Sequence, residues 1–226
     1  MPLVRILLLI VLLFNIAWIS GFWILNRALT EPQVHADLMR HVARIETLLG
    51  QPDLTEPGTL RSLETEFQAA TADLQQLDSL LPLGGHWPGG EAPTEHHLLR
   101  LAIDSTQAAQ NIITVVPLLQ PIQAQAAQAL INAGAAPNPT APTTRITLPM
   151  INRGQYYLDL ARLYWSEAQQ ERRLLTPAAV SALHDPAASA FLTQFDHLAP
   201  TLGARLDITS ALLDWSPGAL GVTSPY

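Results

Sequence analysis

Residues 57–81 read PGTLRSLETEFQAATADLQQLDSLL, and this stretch decides the fold. Its apolar residues recur at alternating spacings of three and four, namely Leu60, Leu63, Phe67, Ala70, Leu74, Leu77 and Leu81. That spacing puts all of them on one face of an α-helix and follows the heptad pattern of helical bundles and coiled coils. We therefore predict a helix from Pro57 to Leu81 whose apolar stripe packs against other helices.

Upstream, the sequence predicts a shorter helix from Pro32 to Leu49. Proline is tolerated in the first helical turn, and Gly50 is a suitable stop. The apolar stripe of this helix consists of Val34, Leu38, Val42, Ile45 and Leu49.

Downstream, a third helix is predicted to begin near Thr94, after a Gly/Pro-rich loop over residues 82–93. One heptad register, polar only at Ser105, continues through Leu98, Leu101, Ser105, Ala108, Ile112, Val115, Leu119, Ile122, Ala126 and Ala129. Pro117 and Pro121 interrupt the register without shifting it. This predicts a kinked helix, or two abutting helices, since an internal proline removes one backbone hydrogen bond.

A fourth helix is predicted from Pro149 to Leu175, with Ile151, Gly154, Leu158, Ala161, Trp165 and Ala168 on its inner face. Three shorter helices are then predicted, each opened by a proline, at Thr176-Pro177, Asp185-Pro186 and Ala199-Pro200. We expect their inward residues to be Phe191, Phe195, Leu198, Leu202, Leu206 and Leu213. Residues 215–226 are predicted to be irregular.

Together these patterns predict an all-α protein, in which an N-terminal transmembrane helix precedes an antiparallel helical bundle with long, Pro-kinked helices. No stretch shows the sustained alternation of a strand. The predicted organisation is a signal anchor over 1–30, a first part of the bundle over 31–133, a Pro/Thr-rich linker over 134–145, and a second helical part over 146–226 that packs on the first.

The N-terminal segment from Ile6 to Leu25 is a run of twenty residues without a charge. About 20 apolar residues span the ~30 Å hydrocarbon core of a bilayer. A cleaved signal peptide has a shorter apolar run and a small-x-small cleavage site, which residues 26–30 lack. We therefore expect a single-pass, uncleaved signal anchor held in the lipid bilayer.

Membrane orientation follows from the flanking charges. Arg5 precedes the span, whereas Arg27, Arg40 and Arg44 follow it, but the last two fall in a predicted helix and are discounted. The remainder of the chain is weakly charged and has no lysine, which suits an extracytoplasmic location. We expect the N-terminus inside and the C-terminal domain extracytoplasmic.

The predicted span also carries small and polar residues. Ala17, Ser20 and Gly21 share one helical face, and Ala17 and Gly21 have the small-xxx-small spacing of closely packed membrane helices. Asn15 lies on a different face, where its amide can bond to another helix. These four residues predict packing against a membrane partner; the alternative is a lone anchor that tolerates them.

Composition excludes several classes of function. The formal net charge is −7, and all twelve basic residues are arginine, so nucleic acid is not an expected partner. Without lysine, no Schiff base or P-loop phosphate contact can form. Without cysteine, there are no disulfides, thiolate zinc sites or iron–sulfur clusters.

The histidines do not form a recognisable metal motif. No H-E-x-x-H or E-x-x-H spacing occurs among His35, His41, His86, His96, His97, His184 and His197. The densest local group is Glu91, Glu95, His96 and His97. Adjacent helical residues point about 100° apart, so we interpret this group as a solvated helix start and predict no metal site.

Catalytic motifs are also lacking in the sequence. There is no G-x-S-x-G and no phosphate-binding glycine loop. His184-Asp185 and Asp196-His197 are adjacent in sequence, but neighbours on a helix diverge. The sequence therefore predicts no catalytic residues and no cofactor.

One aromatic group stands out in the fourth helix, formed by Tyr156, Tyr157, Tyr164 and Trp165. It is a candidate contact for a partner protein or for a small ligand. The alternative is ordinary bundle core with the tyrosine hydroxyls at the rim.

These observations predict a non-enzymatic, membrane-anchored extracytoplasmic subunit that binds or scaffolds other membrane-protein components. The alternative is a ligand-sensing helical bundle. A span followed by an antiparallel bundle is similar in architecture to the extracytoplasmic half of bacterial chemoreceptors and sensor kinases. This sequence shows no second span after the bundle and no signalling module, so such a sensor would need a separate transducer.

Overall fold

The computed structural model describes residues 32–51, 53, 56–80, 94–132, 146–182 and 186–219. These residues form α1 (Pro32–Leu49), α2 (Pro57–Leu80), α3 (Thr94–Asn132), α4 (Leu148–Leu174), α5 (Pro177–Ala182) and α6 (Pro186–Ala219). No strand occurs among them. The all-α prediction is confirmed for this part of the chain.

The long helices pack as an antiparallel bundle. The main packed pairs are α1 on α2, α2 on α3, α3 on α4, and α4 on α6. Asp78 near the end of α2 meets His96 near the start of α3, whereas Glu64 near the start of α2 meets Thr114 further along α3. Contacts that run in opposite directions along two helices define an antiparallel pair, so the bundle prediction is confirmed.

The core is built from the predicted apolar stripes. The α1 stripe is buried throughout, as are the first six positions of the α2 stripe, the first eight of the α3 register and the whole inner face of α4. In the C-terminal part, Phe191, Phe195, Leu202, Leu206 and Leu213 are buried as expected. Leu81 and the side chains of Ala126, Ala129 and Leu198 lie outside the described residues.

Helix α3 is enclosed on more of its circumference than a single stripe predicts. A second row of residues is buried beside the first: Ala102, Thr106, Ala109, Ile113 and Val116. The reason is its position, because α2 covers one side of α3 and α4 covers the other. Helix α3 is therefore the central element of the bundle.

Prolines do not end the helices in which they lie. Helix α3 continues through Pro117 and Pro121, two residues on its less buried side. Here water can bond the carbonyl groups that lose their helical partners. The structure therefore supports the prediction of one helix and not that of two abutting helices.

The predicted helix start at Ala199-Pro200 is wrong. Pro200 lies inside α6, which runs without a break from Pro186 to Ala219. Phe195 and Leu202 are buried on the two sides of this exposed proline, and burial of the continuous apolar stripe outweighs its cost of about 3 kcal/mol. The irregular tail predicted from residue 215 is also wrong as far as 219, since α6 extends to that point.

The predicted opening of α5 is confirmed. The backbone N–H of Ala179 donates a hydrogen bond to Thr176 Oγ1 at 3.2 Å, which makes Thr176 the N-cap ahead of Pro177. Gly50 closes α1 by donating its N–H to the carbonyl oxygen of Glu46 at 2.9 Å.

No helix in the described part of the chain is long and apolar enough to cross a membrane. The predicted span Ile6–Leu25, with Asn15, Ala17, Ser20 and Gly21, lies outside the described residues. The predicted linker over 134–145 also lies outside them.

Candidate functional site

The four aromatic residues singled out in α4 occupy three different environments. Tyr156 is 60% exposed, and its ring meets the Tyr157 ring edge to face with centroids 5.4 Å apart. Tyr157 is half-buried, and the Arg153 guanidinium lies 5.7 Å from its ring centroid. Tyr164 is a half-buried residue packed against the core. The four therefore do not converge on one pocket.

Trp165 belongs to the interface between α4 and α6. It is only 4% exposed, and its ring centroid lies 5.1 Å from that of Phe195. Phe191 extends the group, with its centroid 6.5 Å from that of Phe195. The three rings anchor α6 to α4.

A groove of about 430 Å³ runs along this α4–α6 interface, with Trp165 in its lining. Pro200 and Gly203 contribute the α6 side. A Cβ atom built at Gly203 would lie 3.7 Å from Trp165 Nε1. The groove therefore reaches the indole because residue 203 has no side chain to fill it.

The sides of the groove are polar. Arg162 Nη2 lies 3.0 Å from Asp207 Oδ1, so an ion pair joins α4 to α6 beside the groove. Ser166 and Gln169 add a hydroxyl and an amide to the same lining. The groove thus places hydrogen-bonding groups beside one indole ring, an arrangement that a small polar ligand could contact.

A buried carboxyl group lies at another place in the bundle, on α3. Asp104 is 7% exposed, and no described residue makes a hydrogen bond or an ion pair with it. Burial, followed by the negative charge of Glu167, raises the pKa of Asp104 to about 7, with Arg100 opposing the shift and Glu171 and Asp78 adding to it. Asp104 is therefore close to half-protonated at neutral pH.

Two adjacent histidines at the start of α3 bind different neighbouring helices. His97 Nδ1 is hydrogen-bonded to Glu171 Oε2 of α4 at 2.7 Å. His96 Nδ1 lies 3.1 Å from Asp78 Oδ1 of α2, which is within ion-pair distance. The imidazoles point to different partners, and among the described residues no group of three or more metal-ligating side chains is positioned to hold an ion.

A third histidine joins α1 to α2. His41 Nδ1 is 2.6 Å from Glu66 Oε2, and Arg44 Nε is 3.0 Å from Glu66 Oε1. Burial raises the pKa of the neighbouring Asp73, while the charges of His41 and Arg40 oppose that shift. Histidine–carboxylate pairs thus occur at three successive helix interfaces.

An exposed apolar line runs along the outer face of α4. Tyr156, Leu163 and Leu174 are 60%, 52% and 51% exposed. Their spacings of seven and eleven residues place them within about 20° of one another around a helix with 3.6 residues per turn. We call these three residues the α4 apolar line.

Sequence reasoning missed Asp104 and the α6 side of the groove. Asp104 lies beside the second buried row of α3. The heptad register of this helix accounts for burial on one face only, so it does not predict burial at position 104. Pro200 is predicted from the sequence to start a helix, because proline usually marks a helix beginning, and no sequence pattern singles out Gly203.

Comparison with protein-family models, with curated proteins and with solved structures found no match for this chain.

Proposed function

We propose that this protein is a non-enzymatic, membrane-anchored extracytoplasmic helical subunit that binds or scaffolds other membrane-protein components. The predicted span would hold it in the bilayer, and the bundle would present a face to a partner. The observation that carries the proposal is the α4 apolar line. Single exposed apolar residues are ordinary on protein surfaces, and a helix face on which three of them align is a candidate for contact with a partner.

The chemistry of the line favours a protein partner with an apolar helix face. Tyrosine is enriched among the residues that carry binding energy at interfaces, and apolar residues along one helical face are the anchors with which helices dock into grooves. Glu167 and Gln170 are exposed on the same side of α4 between Leu163 and Leu174, so polar side chains separate these two anchors.

The proposal is tested by purifying the full-length tagged protein in mild detergent and identifying the proteins that co-purify. The triple substitution Tyr156→Ser, Leu163→Ser and Leu174→Ser should reduce recovery of the wild-type partners at least about tenfold, which corresponds to a loss of ~1.4 kcal/mol of binding free energy. The matched control is Ile208→Ser, because Ile208 is 50% exposed on α6 and does not belong to the line.

The predicted span supplies a second arm of the test. Gly21→Leu, or replacement of the span by a poly-leucine anchor, should lower partner recovery without changing membrane insertion, because bulky residues block close helix approach. Partners retained by both the triple variant and the poly-leucine anchor would exclude the scaffold function.

A second candidate function, ligand sensing through a separate transducer, is favoured by the α4–α6 groove. Its volume of about 430 Å³ falls within the range of small-molecule sites, about 300–1,000 Å³. The Arg162–Asp207 pair at its side could exchange partners with a ligand that carries both a carboxylate and an ammonium group.

Sensing is tested by thermal denaturation of the full-length protein against a panel of such zwitterions. A true ligand raises Tm in proportion to RT ln(1 + [L]/Kd). Gly203→Leu fills the groove and should abolish the rise, whereas Leu163→Ser, on the other side of α4, should leave it intact. If no zwitterion raises Tm, this second function is excluded.

A further inference from the structure

One end of the bundle gathers the start of α1, the end of α2, the start of α3 and the end of α4. Thr59 Oγ1, near the start of α2, donates a hydrogen bond at 2.8 Å to Gln51 Oε1, just after α1, so the start of α1 lies beside the end of α2. The antiparallel pairs α2–α3 and α3–α4 bring Asp78 of α2 and Glu171 of α4 to this same end, on either side of the start of α3. We call it the α1-start end.

The chain before α1 limits how far this end can lie from a bilayer. Residues 26–31 join the predicted span Ile6–Leu25 to Pro32, the first residue of α1. The seven steps from Leu25 to Pro32 extend at most about 24 Å, whereas α3, with its 39 residues, is about 58 Å long. The α1-start end is therefore tethered close to the end of the span, and the opposite end of the bundle is not.

The last two residues of α4 and the chain that follows them form an exposed surface at this end. Residues 174–182 carry no charge, and within them only Leu175 and Val180 are buried. Arg173, just before them, is exposed, and no described residue makes a hydrogen bond or an ion pair with it. An exposed, uncharged stretch beside a guanidinium suits the headgroup region of a bilayer, which admits apolar side chains and attracts cations. We call residues 173–182 the α4–α5 surface.

The two ends of the bundle differ in charge. At the α1-start end, four acidic side chains pair with basic ones: Asp37 with Arg40, Asp78 with Arg100, Glu171 with His97, and Asp196 with Arg172. Residues 45–60, which turn from α1 into α2 at the opposite end, contain three acidic residues and no basic one. Anionic headgroups would repel that turn, whereas they would attract the exposed Arg173.

We propose that the α4–α5 surface lies on the bilayer, with Arg173 against anionic lipid headgroups and residues 174–182 at headgroup level. This inference rests on the proposed membrane anchor and deepens it, because it names the side of the bundle that faces the lipid. The α4 apolar line ends at Leu174 on this surface. A protein bound along the line would therefore have one end at the bilayer, as a membrane-protein component would.

The test uses single fluorescent labels, which the absence of native cysteine makes simple to place. Ser181→Cys carries the label on the α4–α5 surface, and Ser62→Cys carries it near the start of α2; both serines are exposed. The full-length protein is reconstituted in phosphatidylcholine vesicles, with or without phosphatidylglycerol, whose headgroups bear a nitroxide quencher. In vesicles with phosphatidylglycerol, the label of Ser181→Cys should lose most of its emission, and the label of Ser62→Cys should keep most of it.

Arg173→Gln, made together with Ser181→Cys, tests the contact with anionic lipid. In vesicles with phosphatidylglycerol it should lower the ratio of quenched to unquenched molecules about fivefold, which corresponds to ~1 kcal/mol for one arginine at an anionic surface. In pure phosphatidylcholine it should have no effect. The matched control is Arg61→Gln, at an exposed position near the start of α2, which should leave the quenching unchanged in both kinds of vesicle.

Flotation of the vesicles separates failure of this inference from failure of the anchor. A protein that does not float with the vesicles has no membrane anchor, so the anchored function and this inference are then both wrong. A protein that floats, but whose two labels are quenched equally, keeps the anchor and overturns this inference alone. Equal quenching with and without Arg173→Gln in phosphatidylglycerol vesicles would overturn the contact between Arg173 and anionic lipid.

Discussion

His97 of α3 and Glu171 of α4 are 74 residues apart in the chain and lie 2.7 Å apart in the structure. Both side chains are mostly buried. This bond crosses the interface between the two helices that together carry most of the packing in the bundle. It therefore ties the first half of the described chain to the second with a polar contact in addition to the apolar core.

Removal of this bond should weaken the interface. We predict that His97→Ala lowers the free energy of unfolding by about 1.5–3 kcal/mol, the range for a hydrogen bond to a charged group. Urea denaturation followed by circular dichroism measures the change. His197→Ala, at an exposed position of α6, should change it by less than about 0.5 kcal/mol; equal effects of the two substitutions would contradict a structural role for His97.

The α2 stripe should tolerate no charge. Leu74 has no exposed surface, so Leu74→Asp must bury an unpaired carboxylate and should destabilise the bundle by about 3–5 kcal/mol. The neighbouring Gln75 is exposed, and Gln75→Asp should have little effect. Thermal melts of the two variants provide the measurement. An unchanged Tm for Leu74→Asp would show that the α2 stripe faces solvent and is not part of the core.

Stability should depend on pH through Asp104. Its pKa rises from 3.8 to about 7 on folding, so the folded state holds this proton more tightly than the unfolded state. The bound proton on Asp104 therefore stabilises the folded state. This stabilisation is fully present below about pH 4, is lost as pH rises to about 7, and amounts to at most about 4 kcal/mol.

The Asp104→Asn variant separates the effect of Asp104 on the pH dependence of stability from the effects of the other carboxyl groups. At about pH 8, Asp104→Asn should be more stable than the wild type by up to a few kcal/mol, whereas at about pH 4 the two should be nearly equal. Urea midpoints at the two pH values provide the measurement. A stability difference that is the same at both values would show that Asp104 titrates normally.

The interface between α4 and α6 should depend on its aromatic rings. Trp165→Ala removes a buried indole stacked near Phe195 and should cost about 3–5 kcal/mol. Leu163→Ala, on the same helix but 52% exposed, should change stability by less than about 0.5 kcal/mol. Near-ultraviolet circular dichroism, which reports aromatic packing, should change for the first variant and not for the second.

Membrane attachment is predicted to be permanent. The protein should remain in the membrane fraction after carbonate or high-salt washing, since an uncharged run of twenty residues is long enough to span the bilayer. Mass spectrometry of the intact chain should find residues 1–30 still present. An N-terminus near Thr30 would instead identify a cleaved signal peptide.

Helix positions could be predicted from the sequence because the apolar periodicity is strong. The bounds of α1 and α2 agree with the predictions to within one residue where the chain is described. The continuity of α6 could not be predicted, because local chemistry at Pro200 favours a helix start, whereas tertiary burial on both sides favours continuation. Propensity is a weak guide where packing opposes it.

The candidate sites were less predictable than the helices. Tyr156 and Trp165 point in different directions around α4, so one is exposed and the other is buried. Which side of α4 is buried depends on where α3 and α6 pack, and the sequence of α4 does not reveal this. The charges that act on Asp104 of α3 include Asp78 of α2 and Glu171 of α4. Such a group has no local sequence motif, so only the tertiary arrangement brings it together.

The order in which the helices pack has a consequence for how the chain folds. Each long helix packs mainly on the next one along the chain, and α5 is a short connection between α4 and α6. Contacts between successive helices give a low relative contact order, which is typical of fast-folding domains. As the chain emerges from its N-terminal end, α2 can dock on α1, and α3 on α2, before the C-terminal helices are available. The exposed second face of α3 would then be the aggregation-prone surface of the nascent chain until α4 arrives.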